Sequence, residues 1–293
     1  MAEKPPQPEN HSVFTDFVQS FHVHFDGSFP DVETTLGPSS YALLAIEAEA
    51  LAQNGTPPVV LDLGCGSGRL SEVLLERGLP PENLVGVDFV AEQIERTRQR
   101  LNVPAVRLFH AQSQDLPLDD SSIDCVLNHM GLAVMVPVDA TLKEVGRVLR
   151  SGGRMAVVVD GPPKEGSIDK SYNRILRETL GAEQPDMLRG VASDPDVSDP
   201  AALARLVHLQ TGMDLQSTRS FELLMRMSVS EYLTFLEGEY LMRRLQDAGR
   251  QQVRDAVARL FESHGDDQVV IPLAMQIMVF AKPPGQAQAV SNG

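Results

Sequence analysis

From Val59 onward, short apolar runs alternate with longer stretches whose apolar positions recur every three or four residues. The runs at 59–63, 84–88, 105–110, 123–128 and 154–160 read as strands, and their near-continuous apolar character is that of strands buried on both faces. The stretches at 68–76, 91–101 and 138–149 carry helical spacing, punctuated by Gly78, Pro80-Pro81 and Ser151-Gly152-Gly153. This alternation predicts a parallel sheet with helices on both faces. After Asp160 the rhythm changes. The pattern predicts a helix near 169–180, an Asp- and Pro-rich stretch over 185–200, and a helix over 201–211. A strand within 215–227, helices over 230–245 and 251–263, and a closing strand over 268–281 follow. Ahead of the sheet, 14–25 fits a helix through Phe14, Phe17, Val18 and Phe21 as well as a strand through Phe21, Val23 and Phe25. Residues 38–54 predict a helix capped by Ser39 or Ser40 and stopped at Asn54-Gly55. Both segments are placed as a lid over the sheet's pocket.

Composition narrows the class. With 293 residues and 42% hydrophobic content the chain can bury a full core without staples, as one capped domain or two packed lobes. Forty acidic against 25 basic residues give −15, which opposes binding to nucleic acid or an anionic membrane. The two cysteines, Cys65 and Cys125, do not form a disulfide framework, and no apolar run approaches membrane-spanning length, so a reducing cytoplasm is expected. Residues 1–10 and 283–293 read as loose tails. A homodimer is compatible with all of this.

The densest chemical signal is Asp62-x-Gly64-x-Gly66-x-Gly68, which closes the strand at 59–63 and opens the next helix. Glycines at alternate positions permit unusual backbone angles and close ligand approach, and the helix start offers unpaired N–H groups. The turn is therefore suited to a polar small molecule held against bare backbone. Neither register supplies the Gly-x-Gly-x-x-Gly of dinucleotide enzymes, since Arg69 and Ser71 stand where the third glycine is needed, and no Gly-Lys pair forms a phosphate loop. About twenty residues on, Leu84-Val85-Gly86-Val87-Asp88 ends a strand in an acid. A carboxylate only accepts hydrogen bonds and suits a vicinal diol, although Asp88 also stands where a helix N-cap would.

Together these stretches resemble the class I S-adenosylmethionine-dependent methyltransferases, over residues 57–160. The resemblance implies a Rossmann-like α/β sheet of seven strands, the last antiparallel, with a helical lid and an inserted cap. Its parts are a tail and lid at 1–56, an S-adenosylmethionine-binding core at 57–160, a cap at 161–200, a C-terminal portion with a helical insertion at 201–282, and a tail at 283–293. It further implies that Asp62, Gly64, Cys65, Gly66 and Gly68 cradle the cofactor and that Asp88 takes its ribose hydroxyls. Phe89 packs on the adenine or in the core. Gln112 and Ser113 stand where family members often carry Asp-Ala before Leu-Pro, and meet the adenine unless the loop is merely polar. Asn128, ending the fourth strand, falls where the family contacts the methionine portion. Arg150-Ser151-Gly152-Gly153-Arg154 resembles a structural turn of the family, with Ser151 for its usual proline.

Methyl transfer from a sulfonium needs alignment above all, worth up to about 7–11 kcal/mol, against about 3–5 kcal/mol from a general base. His129, at the carboxyl edge of the sheet, is the first candidate base, with a supporting-residue reading beside it. His24, with His22, is the second candidate for touching the acceptor, and Tyr172 and Tyr240 are further pocket candidates. The Met-rich strip over 223–227 reads as core. The expected activity is methylation of a small-molecule acceptor, at oxygen ahead of carbon or nitrogen, of the kind found in natural-product or quinone metabolism. Two other readings stand beside it. One is a binding module or cyclase that holds the cofactor without transferring methyl. The other is a metal-dependent hydrolase built on His22-x-His24-x-Asp26.

Overall fold

Seven strands form a single sheet in the order β3-β2-β1-β4-β5-β7-β6 in a computed structural model that describes residues 18–20, 22–23, 31–52, 55–183, 197, 199–262 and 268–284. They are β1 (Val60–Leu63), β2 (Leu84–Asp88), β3 (Arg107–His110), β4 (Ile123–His129), β5 (Leu149–Asp160), β6 (Asp214–Met227) and β7 (Val269–Ala281). The first five are parallel, and β7 runs antiparallel to both β5 and β6. This is the predicted seven-stranded α/β sheet with an antiparallel last strand. β1 and β2 are buried at every position, as their unbroken apolar runs require.

Alternation along the strands divides the core. Leu61, Leu63, Val85, Val87 and Val126 pack on one face beneath α4 (Val138–Val148) and α6 (Pro200–Thr211). Val60, Leu84, Cys125 and Leu127 pack on the other, beneath α1 (Ser40–Glu49) and α2 (Arg69–Glu76). α3 (Ala91–Leu101) joins β2 to β3. The parallel register brings Leu63 beside Val87, and Asp62 beside both Gly86 and Leu127. The carboxyl ends of β1, β2 and β4 therefore meet at one edge, where open α/β sheets bind ligands.

The segment predicted as a lid helix over 38–54 is shorter and lies elsewhere. α1 buries Leu43, Leu44, Ala45 and Ala48 against the sheet face, and only its first turn reaches the edge. Apolar residues around most of its circumference favour such burial over a position above a wet cleft. Of the ambiguous segment at 14–25, residues 18–20 and 22–23 are helical, and the rest lies outside the described residues. β5 begins at Leu149 rather than Arg154, because the chain loops out between the Ile123–Leu149 and Cys125–Arg154 pairings. The predicted helix over 230–245 divides into α7 (Val229–Leu236) and α8 (Tyr240–Arg244). A Ser228–Glu231 capping box starts α7.

β6 and β7 outrun the sheet. β7 pairs with β5 only from Met275 to Ala281, whereas Val269–Ala274 pairs with β6 alone. This projecting ribbon carries a third apolar cluster, in which Met225 and Ile271 meet side chains from α5 (Ile168–Glu183), α7 and α9 (Asp247–Arg259). Met225, read as core from sequence, is fully buried there. Among the described residues no helix is long and apolar enough to cross a membrane.

Candidate active site

The turn after β1 holds its glycines at φ +71° (Gly64), +53° (Gly66) and +89° (Gly68), all in the left-handed region that side chains resist. The amides of Gly64 and Cys65 both donate to the Val87 carbonyl, at 2.8 and 3.0 Å, lashing the turn to the end of β2. Thr97 of α3 donates to the Gly66 carbonyl at 2.6 Å. A Cβ on Gly68 would stand 2.8 Å from Thr97 Cγ2, so this glycine serves the approach of α3 to the turn. Gly86 has the same kind of role from below, since a Cβ there would meet Leu108 Cδ2 at 2.7 Å and Cys65 Sγ at 3.2 Å.

Two buried carboxyls flank the turn. Asp88 accepts from the Gly66 amide through Oδ2 and from the Val90 amide through Oδ1, each at 2.9 Å. Asp88 is not itself the N-cap of α3, which is Val90, but it accepts that residue's amide and lines the cleft. Burial raises its pKa, while these amide bonds and His110 oppose the shift. Asp62 accepts the Ser71 hydroxyl at 2.7 Å, and burial, aided by the Asp88 charge, pushes its carboxyl up to about 7. A group that donates into this acidic corner, or brings positive charge to it, relieves that strain.

The cleft above the turn encloses about 1220 Å³ of empty space, its open mouth included. Asp62, Gly64, Cys65, Gly66, Asp88 and Phe89 line one side. Gln112 and Ser113 line another. Gln112 is exposed at the rim, while Ser113 is buried and hydrogen-bonded to Thr141 at 2.8 Å. Gly68 is not on the wall.

Asn128 departs from its expected place. Its side chain is fully buried, gives a 2.7 Å hydrogen bond to the Leu63 carbonyl and accepts the Leu132 amide at 2.9 Å. It secures the loop after β4, and the next residues, His129, Met130 and Gly131, form the wall.

His129 lies on the cleft but is poorly prepared to take a proton. Its Nε2 is 2.8 Å from the Ser40 hydroxyl, and its ring stacks on Tyr41 with centroids 4.0 Å apart. Burial drops its pKa to about 3, with the Asp31 charge opposing. A ring with that affinity stays neutral at pH 7 and is a weak base. Its geometry is that of a positioned wall residue. His22 also lines the cleft, and its carbonyl accepts from Gln93 and Arg96 of α3. His24 and Asp26 lie outside the described residues, as does the side chain of Tyr240. Tyr172 is on α5, away from the cleft wall.

Sequence reasoning missed Tyr41, Arg69 and the stretch Val134–Val136, all on the wall. Arg69 pairs with Asp31 and Glu72 at the mouth. Nothing in the local pattern of α1 marks Tyr41, whereas Arg69 was legible as the first residue after the last glycine.

The glycine turn, the acid ending β2 and the sheet order together define a class I S-adenosylmethionine-dependent methyltransferase fold. Residues 60–153 match a family described as a methyltransferase domain. The chain is 40% identical over 99 residues to a protein of Mycobacterium tuberculosis named as an uncharacterized methyltransferase, covering 34% of this chain and 38% of that one. It is 31% identical over 132 residues to a demethylmenaquinone methyltransferase of Thermus thermophilus, covering 44% of this chain and 60% of the relative. Neither match spans two thirds of the relative's length. Among solved structures, the [4+2]-cyclase SpnF superposes with a TM-score of 0.54 at 16% identity, covering 97% of this chain and all of that one.

Proposed function

We propose that this chain is an S-adenosylmethionine-dependent methyltransferase acting on a small-molecule acceptor, with oxygen the favoured atom. The observation that carries the reading is the pairing of a left-handed glycine turn with the Asp88 carboxylate, hydrogen-bonded to each other at the lip of the cleft. The residues fit the cofactor. Asp88 keeps a lone pair on each oxygen beyond its two amide bonds, enough for a ribose diol. The exposed Gln112 amide offers both a donor and an acceptor to an adenine edge. Gly64 and Gly66 leave backbone bare where a side chain would intrude, and the buried Asp62 offers its acidic corner to an ammonium group.

When bound, the cofactor supplies an electrophilic methyl on a sulfonium. The chain's part is alignment. The glycine turn and Asp88 hold the nucleoside end, and the loop over 129–136 walls the space where an acceptor lies beside it. With His129 held neutral and tied to Ser40, the reading assigns it packing and orientation through the Tyr41 stack rather than proton removal. An acceptor hydroxyl then loses its proton to solvent, and most of the rate comes from geometry.

The test is calorimetry with S-adenosylhomocysteine, followed by product analysis with methyl-labelled cofactor and a set of small acceptors. Micromolar binding and a labelled product support the reading; heat from a nicotinamide or flavin nucleotide alone would overturn it. The fold shared with a cyclase supports a second reading, in which the cofactor stays intact. Binding with turnover of an acceptor but no S-adenosylhomocysteine formed would favour that one.

A further inference from the structure

The cleft has two unlike sides. Its charged lining, Asp62, Asp88 and Arg69, lies at the glycine turn and on β1 and β2. Each of these groups already has partners: Asp62 the Ser71 hydroxyl, Asp88 the Gly66 and Val90 amides, and Arg69 the carboxylates of Asp31 and Glu72. Another side is the loop after β4, where Met130, Gly131, Val134, Met135 and Val136 form the wall. That stretch brings no charged side chain to the cleft.

The backbone of the loop is spent within the protein as well. The Met130 amide donates to the Val158 carbonyl at 3.0 Å, the Val134 amide to Gly131 at 3.1 Å, and the Met135 amide to Leu132 at 3.2 Å. The Met135 carbonyl accepts from Thr141 at 3.3 Å, and the Val136 carbonyl from Gln114 at 3.1 Å. Backbone groups satisfied in this way do not call for a partner from a ligand. What the loop turns to the cleft is therefore methyl, methylene and thioether surface. The His129 ring beside it, stacked on Tyr41, adds no charge, because burial keeps it neutral.

Two features hold this wall in place. Met130 sits at φ +61°, in the left-handed region that side chains resist, and its bond to Val158 keeps it there. Met135 reaches back to the glycine turn. Its Cε lies 2.5 Å from where a Cβ on Gly64 would stand and 3.1 Å from where one on Gly131 would. Glycine at both positions makes room for that thioether tip. The apolar wall thus extends to the first glycine of the turn, and a molecule lying on it abuts the cofactor side.

A charged group pressed on such a wall loses its hydration and gains no counter-charge, whereas apolar surface gains by leaving water. Thioethers also make favourable contacts with aromatic rings. We propose that the acceptor is an uncharged, mainly apolar molecule, seated on Met130, Val134, Met135 and Val136 with its reacting hydroxyl at the glycine-turn end. This rests on the methyltransferase reading and names its substrate class. The charged groups of the cleft then serve the cofactor, and the loop after β4 selects the acceptor by its lack of charge.

The test uses the full chain saturated with S-adenosylhomocysteine at pH 7, so that the nucleoside side is filled first. Naphthol, naphthoate and naphthylmethylammonium, which share one ring system and differ in charge, are titrated by calorimetry at equal ionic strength. The expected result is saturable binding of naphthol, with each charged analogue about tenfold weaker or more. Val134→Asp puts a carboxylate on the wall and reverses the order, weakening naphthol about tenfold and bringing the ammonium analogue above it. Val134→Thr, close to valine in shape, weakens naphthol by a smaller factor and serves if the first variant folds poorly. No binding of naphthol to the loaded chain, equal binding of the three, or tighter binding of either charged analogue overturns the apolar acceptor. So does naphthol binding that neither variant changes. Failure of S-adenosylhomocysteine to bind the wild type overturns the methyltransferase reading instead, and is seen before any naphthol is added.

Discussion

Asp88 joins two tasks that mutation can separate. Its carboxylate holds the Gly66 and Val90 amides at 2.9 Å each, and in the proposed complex it also accepts two hydroxyls of a ribose. A hydrogen bond to a charged group contributes about 1.5–3 kcal/mol, so losing both ribose contacts costs about 3–6 kcal/mol, or roughly 10²- to 10⁴-fold in affinity. Asp88→Ala should show that loss. It also leaves two amides without their acceptor, which lowers stability by about 2–4 kcal/mol. Asp88→Asn keeps one acceptor oxygen and turns an N–H toward a donor, so its binding should fall by about 10- to 100-fold with less damage to the fold. Calorimetry with S-adenosylhomocysteine, run beside urea unfolding of the same samples, separates the two effects. If Asp88→Asn binds with wild-type affinity, the ribose assignment is wrong. If both variants lose affinity only as far as they lose folded protein, Asp88 is a structural clasp and nothing more.

Other outcomes are equally open to measurement. Gly68→Ala forces a methyl to 2.8 Å from Thr97 Cγ2 at φ +89° and should destabilise by about 2–3 kcal/mol in urea, more than Gly64→Ala, whose clash is with the movable tip of Met135. The His129 ring, held to about 3, should show no titration between pH 5 and 8 by NMR, and the pH–rate profile should carry no step from it; an inflection removed by His129→Gln would refute this. Glu239 is raised to about 7 from 4.5, so the folded state binds its proton more tightly than the unfolded chain. Its contribution is complete below about pH 4.5 and lost as pH rises through 7. Glu239→Gln should therefore raise stability at pH 8 by about 1–2 kcal/mol, after discounting its partial exposure, and change little at pH 4.5; a uniform effect at both pH values would contradict the burial of its charge.

The cofactor half was legible because its signals are local. Strand burial shows as apolar runs, the turn as alternate glycines, and the acid on the cleft wall as the last residue of a strand. β2 and α3 fall on their expected bounds, Leu84–Asp88 and Ala91–Leu101. The acceptor side was not legible in that way. Tyr41 reaches the cleft because α1 crosses the sheet face, which no local pattern in its own segment marks. Asn128 was placed near the right strand end, but its side chain is spent on the Leu63 carbonyl and the Leu132 amide. An amide at that position bonds the cofactor or its own loop with equal ease, and only the fold distinguishes them. For His129, position in the chain marked the cleft correctly, while its protonation depends on the depth of burial and the Asp31 charge, which no spacing reveals.

The overhanging β6–β7 hairpin works as a mast. Its root is hydrogen-bonded into the sheet through β5, and its free length bears α5, α7 and α9 through the third apolar cluster. Those helices pack on the ribbon and not on the glycine turn, so changes among them leave the turn's own bonds in place. Sequence kinship with the family fades near residue 153, just where the mast's footing begins, while the scaffold itself persists across nearly the whole chain. If the proposed function holds, grafting another relative's mast onto residues 57–160 is a direct way to change which acceptor the protein takes.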